Sequence, residues 1–84
     1  MKAVIYTVFD KVAEEYGPLF EAKNDAVALR QFKHLIATVV VENRDDYVLY
    51  SCGTFDHDAG VMVLADLNAV AYAGDLDDKE QKNV

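Results

Sequence analysis

The sequence predicts an α+β domain with the order strand, helix, strand, strand, in which a small, mainly antiparallel sheet has one helix packed on one face. Three observations lead to this prediction. Segments 3–9 and 47–55 are dense in the β-branched and aromatic residues that favour strands. Between them, apolar residues recur with the helical period from Asn24 onward. A short polar turn at 56–60 then precedes another apolar segment, which predicts a hairpin.

The first strand, 3–9, is mostly apolar in both of its alternation sets, so we expect it to be covered on both faces. The segment that follows, 10–19, contains the only proline of the chain. Because Pro18 has a fixed φ and disfavours the helical conformation at Gly17, this segment is predicted to be an ordered turn or loop.

The helix is predicted to begin at Asn24 and Asp25. The Asn24 side chain can accept a hydrogen bond from a free backbone N–H of the first turn, and a carboxylate at Asp25 is favourable near the positive end of the helix dipole. The predicted core face is the broad arc of apolar side chains formed by Ala28, Leu29, Phe32, Leu35, Ile36, Val39 and Val40.

Polar turn formers at 42–46 end the helical pattern, and 61–64 is the second strand of the hairpin. Segment 65–73 fits either a short fourth strand or one helical turn, and the strand is the favoured interpretation. From Gly74 onward apolar residues nearly vanish, so this segment cannot bury enough surface to offset its ordering entropy. We therefore expect one domain over 1–73 and a flexible, disordered acidic tail over 74–84.

The size and charge of the chain narrow the classes of function. A chain of 84 residues forms one domain with one core, and it buries only about 60% of its surface on folding. One helix covers only one face of an apolar sheet, so the second face needs to be covered by another copy of the chain or by an aromatic ligand. Coverage by another copy predicts a homo-oligomer, most simply a dimer. The net charge of −7 argues against binding of duplex DNA by broad charge neutralisation.

The single cysteine, Cys52, cannot form an intrachain disulfide, and the first apolar stretch is too short for a signal peptide or a membrane span. These features predict a cytoplasmic protein without membrane contact. Asp56, His57 and Asp58 are ligand-type residues, but they lack the closing Glu of a calcium loop and a second His or Cys for zinc. We expect a hairpin turn there, with no metal, cofactor or catalytic residue in the chain, and a small buried hydrophobe at Cys52.

The candidate nucleic-acid-binding residues are of two kinds. The first is a group of cations on or just before the helix, which consists of Lys23, Arg30, Lys33 and His34. The alternative is an ordinary solvated helix face, with Arg30 held in a salt bridge to Asp10 or Glu21. The second kind is a set of sheet tyrosines on which the bases of a single strand could stack: Tyr6, Tyr47 and Tyr50. The alternative for these tyrosines is a place in the core or in a dimer interface.

Two stretches resemble a known family: YGPLFEAKNDAVALRQF at 16–32 and YVLYSCGTFDHDAG at 47–60. They are similar to the small nonstructural proteins of gokushoviruses, the single-stranded DNA microviruses (Microviridae) of bacteria. The shared elements are Asp10 after a strand, the run Gly17-Pro18-Leu19-Phe20, the pattern Ala22-x-Asn24 to Arg30-x-Phe32, and Leu49-Tyr50-x-x-Gly53-x-Phe55-Asp56. The likeness covers roughly residues 5–61.

This resemblance implies a nonenzymatic DNA-binding protein of the infected host's bacterial cytoplasm, which acts when replication switches from double-stranded to single-stranded product. The first functional hypothesis is therefore a dimeric phage protein that binds single-stranded DNA during viral genome replication. The alternative is a protein-interaction module that targets a host or phage replication or assembly protein through its apolar sheet face, while its acidity keeps it off DNA.

Overall fold

A computed structural model of the chain describes residues 1–39 and 41–75. The strands are β1 (Lys2–Asp10), β2 (Glu15–Tyr16), β3 (Phe20–Ala22), β4 (Tyr47–Asp56) and β5 (Val61–Tyr72); the helix is α1 (Asp25–Ile36), and a 3₁₀ helix spans Val41–Asp46. All strand pairs are antiparallel, in the order β2-β1-β4-β5, and β3 also pairs with β1. The predicted small antiparallel sheet with one helix is confirmed.

The segment between β1 and α1 contains two short strands as well as the predicted turn. The carboxylate of Asp10 accepts hydrogen bonds from the backbone N–H groups of Val12 and Ala13, and the tight turn ends at Glu14 with a φ of 58°. The chain then runs back along one edge of β1, first as β2 and then as β3. Strands of two and three residues are too short for alternation to predict them.

Between β2 and β3 the chain leaves the sheet over residues 17–19 and remains tied to β1. The backbone N–H of Gly17 donates to the carbonyl of Val8, and the hydroxyl of Thr7 donates to the carbonyl of Gly17. Pro18, which has no N–H to donate, lies in this interruption of the edge.

Strands β4 and β5 form the predicted hairpin, and Gly60 adopts the positive φ, 69°, that its turn requires. Segment 65–73 does not form a separate fourth strand. It continues the same strand through two register shifts as far as Tyr72, so β5 has 12 residues. Bulges of this kind let one strand change its twist without ending.

Helix α1 begins as predicted, because the side chain of Asn24 accepts a hydrogen bond from the N–H of Val27. The helix ends at Ile36, earlier than the predicted apolar arc, in a tight turn in which the N–H of Val39 donates to the carbonyl of Ile36. Ala28, Phe32 and Ile36 are buried, whereas Leu35 is 48% exposed. Val40, the last residue of that arc, lies outside the described residues.

The core lies between α1 and one face of the sheet. It consists of Tyr6, Ala22, Ala28, Phe32, Ile36, Leu49 and Ala73. Because Ala73 is fully buried, the chain is anchored up to the end of β5. Gly74 and Asp75 are described, and the rest of the predicted tail, 76–84, lies outside the described residues.

Candidate nucleic-acid interface

The strand register assigns each side chain of the sheet to one of two faces, because directly opposed residues of antiparallel strands share a face. Tyr6 and Leu49 point into the core under α1. We call the other side the open face. Its members are Ala3, Ile5, Thr7 and Phe9 of β1, Tyr16 of β2, Glu21 of β3, Val48, Tyr50, Gly53 and Phe55 of β4, and Met62, Leu64, Ala69 and Tyr72 of β5.

An aromatic row crosses the open face at one end of the sheet. Tyr16 opposes Phe9, Phe9 opposes Val48, and Val48 opposes Tyr72, so the row extends over four strands. The ring of Tyr16 lies 4.6 Å from that of Phe9 and, edge-on, 6.1 Å from that of Tyr50, measured between centroids. Tyr16 and Tyr72 are 50% and 49% exposed, so both present ring surface to solvent.

The other end of the open face holds a shallow apolar depression of about 380 Å³, lined by Ile5, Leu19, Phe20, Glu21, Phe55 and Met62. This volume lies in the lower part of the range of about 300–1,000 Å³ that is usual for small-molecule sites. At its rim, the carboxylate of Glu21 forms a hydrogen bond with Nε2 of His57, and the ring of His57 stands edge-on to Phe55 with centroids 4.8 Å apart. These contacts fix the hairpin turn against β3.

The charge on the open face is very low. Among the strand residues that the register places there, only Glu21 is charged, and it is already paired with His57. The side chains of Ala3, Ile5, Thr7 and Val48 on this face are buried, so a ligand would meet mainly the exposed aromatic and aliphatic side chains of β2 and β5. Binding there would depend on stacking and burial and very little on attraction between opposite charges.

The three candidate tyrosines occupy three different environments. Tyr50 is half-buried on the open face, and Tyr47 packs against the edge of the core on the helix side. Tyr6 is fully buried, and its hydroxyl donates a hydrogen bond of 2.6 Å to Asp25 Oδ1. Burial, followed by the hydrogen bond and the charge of Asp25, raises the pKa of Tyr6 well above its usual value. Of the three, only Tyr50 lies where a base could stack.

Two of the candidate cations, Arg30 and His34, lie on the side of α1 opposite to its buried residues. Lys23, Arg30, Lys33 and His34 are all exposed. Lys33 lies on the flank of α1, and Lys23 precedes the helix. Of the two partners considered for Arg30, Glu21 pairs with His57, and Asp10 accepts hydrogen bonds from its own turn. The structure therefore separates Arg30 and His34 from Tyr50, which lies on the face of the sheet that α1 does not cover.

The turn between β4 and β5 is held by the side chain of Asp56. Asp56 Oδ1 accepts hydrogen bonds from the N–H groups of Asp58 and Ala59, as in an ordinary hairpin turn. In the described part of the chain, no three His, Cys, Asp or Glu side chains are grouped so that they could hold a metal ion. Cys52 lies at a register shift of β4, where its thiol donates to the carbonyl of Ile5 and burial raises its pKa.

A family model described as Phage ORF5 protein matches residues 3–76. The chain belongs to the phage ORF5 protein family. The match extends from the second residue of β1 past the end of β5, so it includes α1 and all of the sheet except Lys2. No curated protein and no solved structure matches the chain. Within the described residues, this ORF5 protein has no helix that is long and apolar enough to cross a membrane.

Three aromatic residues of the row in this ORF5 protein, Phe9, Tyr16 and Tyr72, were not among the sequence candidates. Phe9 belongs to the alternation set opposite to that of Tyr6, so the sequence contains a signal for its face. Tyr16 and Tyr72 gave no such signal, because one lies in a strand of two residues and the other follows the register shifts of β5. Their places in the row depend on pairing that only the folded chain defines.

Proposed function

We propose that this phage ORF5 protein is a nonenzymatic protein that binds single-stranded DNA on its open face, in the cytoplasm of the bacterial host. The role that we propose is the one implied by the resemblance to gokushovirus nonstructural proteins of the Microviridae: binding during viral genome replication or during the switch to single-stranded synthesis. The observation that carries the proposal is the partly exposed aromatic row Tyr16–Phe9–Val48–Tyr72 with Tyr50 beside it.

Stacking explains how an acidic protein could hold a nucleic acid. A base stacked on an aromatic ring contributes about 1–3 kcal/mol, and every base has a ring face, so this contact tolerates any sequence. Tyr16 and Tyr72 stand at the two ends of the row, with half of their surface exposed. A single strand has unpaired bases to offer to such rings, whereas a duplex keeps its bases stacked inside. The proposal therefore includes a preference for single strands.

The cations on α1 have a secondary part in this proposal. Arg30 and His34 lie on the side of α1 that faces away from the sheet, so a strand held by the aromatic residues does not need them. The affinity of a protein for DNA falls more steeply with salt when the protein neutralises more phosphates. For single strands, the logarithm of the affinity falls by about 0.7 per neutralised phosphate for each tenfold rise in salt concentration. Because the register places no lysine or arginine of the described strands on the open face, we expect a shallow dependence on salt.

Titration with a fluorescent oligonucleotide tests the proposal. The single strand and the matching duplex are each titrated at low salt and again at higher salt, with the oligomeric state of the protein recorded in the same buffers. We expect the single strand to bind more tightly than the duplex, with a shallow loss of affinity as salt rises. Absence of single-strand binding at low salt, where any charge contacts are strongest, would overturn the proposal.

A second candidate function is recognition of a host or phage replication or assembly protein, and one observation favours it. An apolar groove of about 370 Å³ lies on the helix side, lined mainly by Val8, Pro18, Leu19, Phe20, Leu35 and Tyr47. Leu19 and Leu35 are 58% and 48% exposed at its rim. Complementation of phage growth separates the candidates: Leu35→Lys should abolish function if the groove binds a protein, and Tyr16→Leu should do so if the open face binds DNA.

A further inference from the structure

The two edges of the sheet differ sharply in how they are protected. The edge formed by β2 and β3 consists of strands of two and three residues, interrupted at Pro18 and bearing the charges of Glu15 and Glu21. Short strands, proline and charge are the usual means by which a protein prevents its sheet edge from pairing with another chain. This edge is therefore closed to further strands.

The edge formed by β5 has almost none of these protections. The strand has 12 residues, about twice the usual length of about 5–6 residues, and it contains no proline and no lysine. Every residue from Val61 to Ala69 is exposed. The large apolar side chains among them are Val61 (50%), Met62 (52%), Val63 (57%), Leu64 (69%) and Leu67 (44%). In the described residues, no strand pairs with its outer edge.

We propose that the protein forms a homodimer in which the outer edge of β5 pairs antiparallel with β5 of a second copy. A single charged residue, Asp66, occurs from Ala59 to Gly74, whereas 27% of the whole chain is charged. Two copies that each carry a net charge of −7 repel each other, and contact along a neutral segment keeps this repulsion low. A basic partner would find one carboxylate to bind here, whereas a second β5 offers matching apolar side chains and matching backbone donors and acceptors.

The register of the pairing follows from the position of Asp66. A two-fold axis at Leu64 pairs residues 61–67 of both copies, so that Val61 opposes Leu67 of the partner subunit and Leu64 opposes Leu64 of the partner subunit. Asp66 then opposes Met62 of the partner subunit. An axis at Asp66 would place two carboxylates directly opposite each other, which is unfavourable. The closed β2–β3 edge limits the assembly to two copies, because no second edge is available for a third.

This pairing joins the two sheets into one and keeps both open faces on the same side, because opposed residues of antiparallel strands share a face. The inference rests on β5 alone and holds whether or not the open face binds DNA. If it does, the dimer presents two aromatic rows on one surface.

Sedimentation of the wild type and of the Leu64→Lys variant tests the dimer. Val12→Lys is the matched control. Val12 is also exposed, at 74%, and it follows β1, which β4 separates from β5 in the sheet. We expect the wild type and Val12→Lys to be dimers at micromolar concentration. Leu64→Lys should raise the dimer dissociation constant by about a hundredfold or more, because like charges brought together across an interface are strongly unfavourable. A monomeric wild type, or an undiminished dimer in folded Leu64→Lys, would overturn the proposal.

Cross-linking tests the register without disturbing the apolar contact. Leu64→Cys in a Cys52→Ser background places two thiols opposite each other at the axis, within the Cα separation of about 4.4–6.8 Å that a disulfide requires. Mild oxidation should convert this variant to a covalent dimer much faster than Val12→Cys in the same background. Equal rates for the two variants would contradict the axis at Leu64.

Discussion

The hydroxyl of Tyr6, in the middle of the central strand, donates a hydrogen bond of 2.6 Å to Asp25 Oδ1 at the first residue of α1. Tyr6 is fully buried, and its ring lies 5.7 Å from that of Phe20 in a stacked arrangement. The hydrogen bond thus fixes the start of the helix over β1. The first turn is also held by Asn24, whose side chain accepts a hydrogen bond from the N–H of Val27. This contact takes Tyr6 out of the candidate interface and makes it a determinant of the fold.

Replacement of Tyr6 by Phe should lower the free energy of unfolding by about 1–2 kcal/mol, since it removes a hydrogen bond to a charged group and keeps the ring. Urea denaturation at one protein concentration measures the loss. Tyr72→Phe is the matched control, because Tyr72 is 49% exposed, and it should change stability by less than about 0.5 kcal/mol. Equal effects of the two substitutions would show that the bond to Asp25 does not stabilise the fold.

The stability of the protein should also depend on Tyr6 at alkaline pH. Burial, and then the hydrogen bond and charge of Asp25, raise the pKa of Tyr6, so the folded state holds the phenol proton more tightly than the unfolded state does. This contribution is complete below the ordinary pKa of 10.0 and is lost as the pH rises above it. The advantage of the wild type over Tyr6→Phe should therefore stay constant up to about pH 9 and shrink as the pH rises above about 10. A constant difference would contradict the raised pKa.

Gly53 lies where the backbone of β5 leaves no room for a side chain on β4. A Cβ built on Gly53 would lie 2.4 Å from the carbonyl oxygen of Val63, a backbone atom that cannot move without shifting the hairpin. Gly53→Ala should therefore cost about 1–3 kcal/mol of stability, as overpacking does elsewhere. Gly17→Ala is the control, because its Cβ would lie at an ordinary 3.5 Å from Val8 O, and thermal unfolding should show little change. A neutral Gly53→Ala would show that the hairpin can separate there without cost.

The thiol of Cys52 should react slowly in the folded protein. It donates to the carbonyl of Ile5, and burial raises its pKa, so little of the reactive thiolate is present near neutral pH. Reaction with a chromogenic thiol reagent should be much faster in denaturant than in buffer. Similar rates under the two conditions would mean that this part of β4 is open to solvent.

The sequence predicted best those features that depend on neighbouring residues. The cap at Asn24, the positive φ of Gly60 and the strands that begin near Ala3 and at Tyr47 follow from local propensity, and the structure confirms them. Strands β2 and β3 were missed, because their order comes from pairing with β1 and not from a pattern of their own.

The candidate interface was harder to predict, because it depends on which face each side chain occupies. The tyrosines at 6, 47 and 50 are alike in the sequence, yet the register and bulges of the sheet place only Tyr50 on the open face. Arg30 and His34 of α1 and the aromatic row lie on opposite sides for the same reason: a helix packed on one face directs its polar side away from the other face. A one-residue change in register would reverse these assignments.

The most direct test of the central claim compares single-strand binding by two double variants with that of the wild type. Tyr16→Leu with Tyr50→Leu removes ring surface from the open face, and Arg30→Gln with Lys33→Gln removes charge from the far side and the flank of α1. Our account predicts that the first variant, while still folded, loses about tenfold or more in affinity, as expected for the loss of one or two stacked bases, and that the second binds nearly as the wild type does. Wild-type affinity in the tyrosine variant, with the loss confined to the charge variant, would contradict the claim that the open face binds the strand.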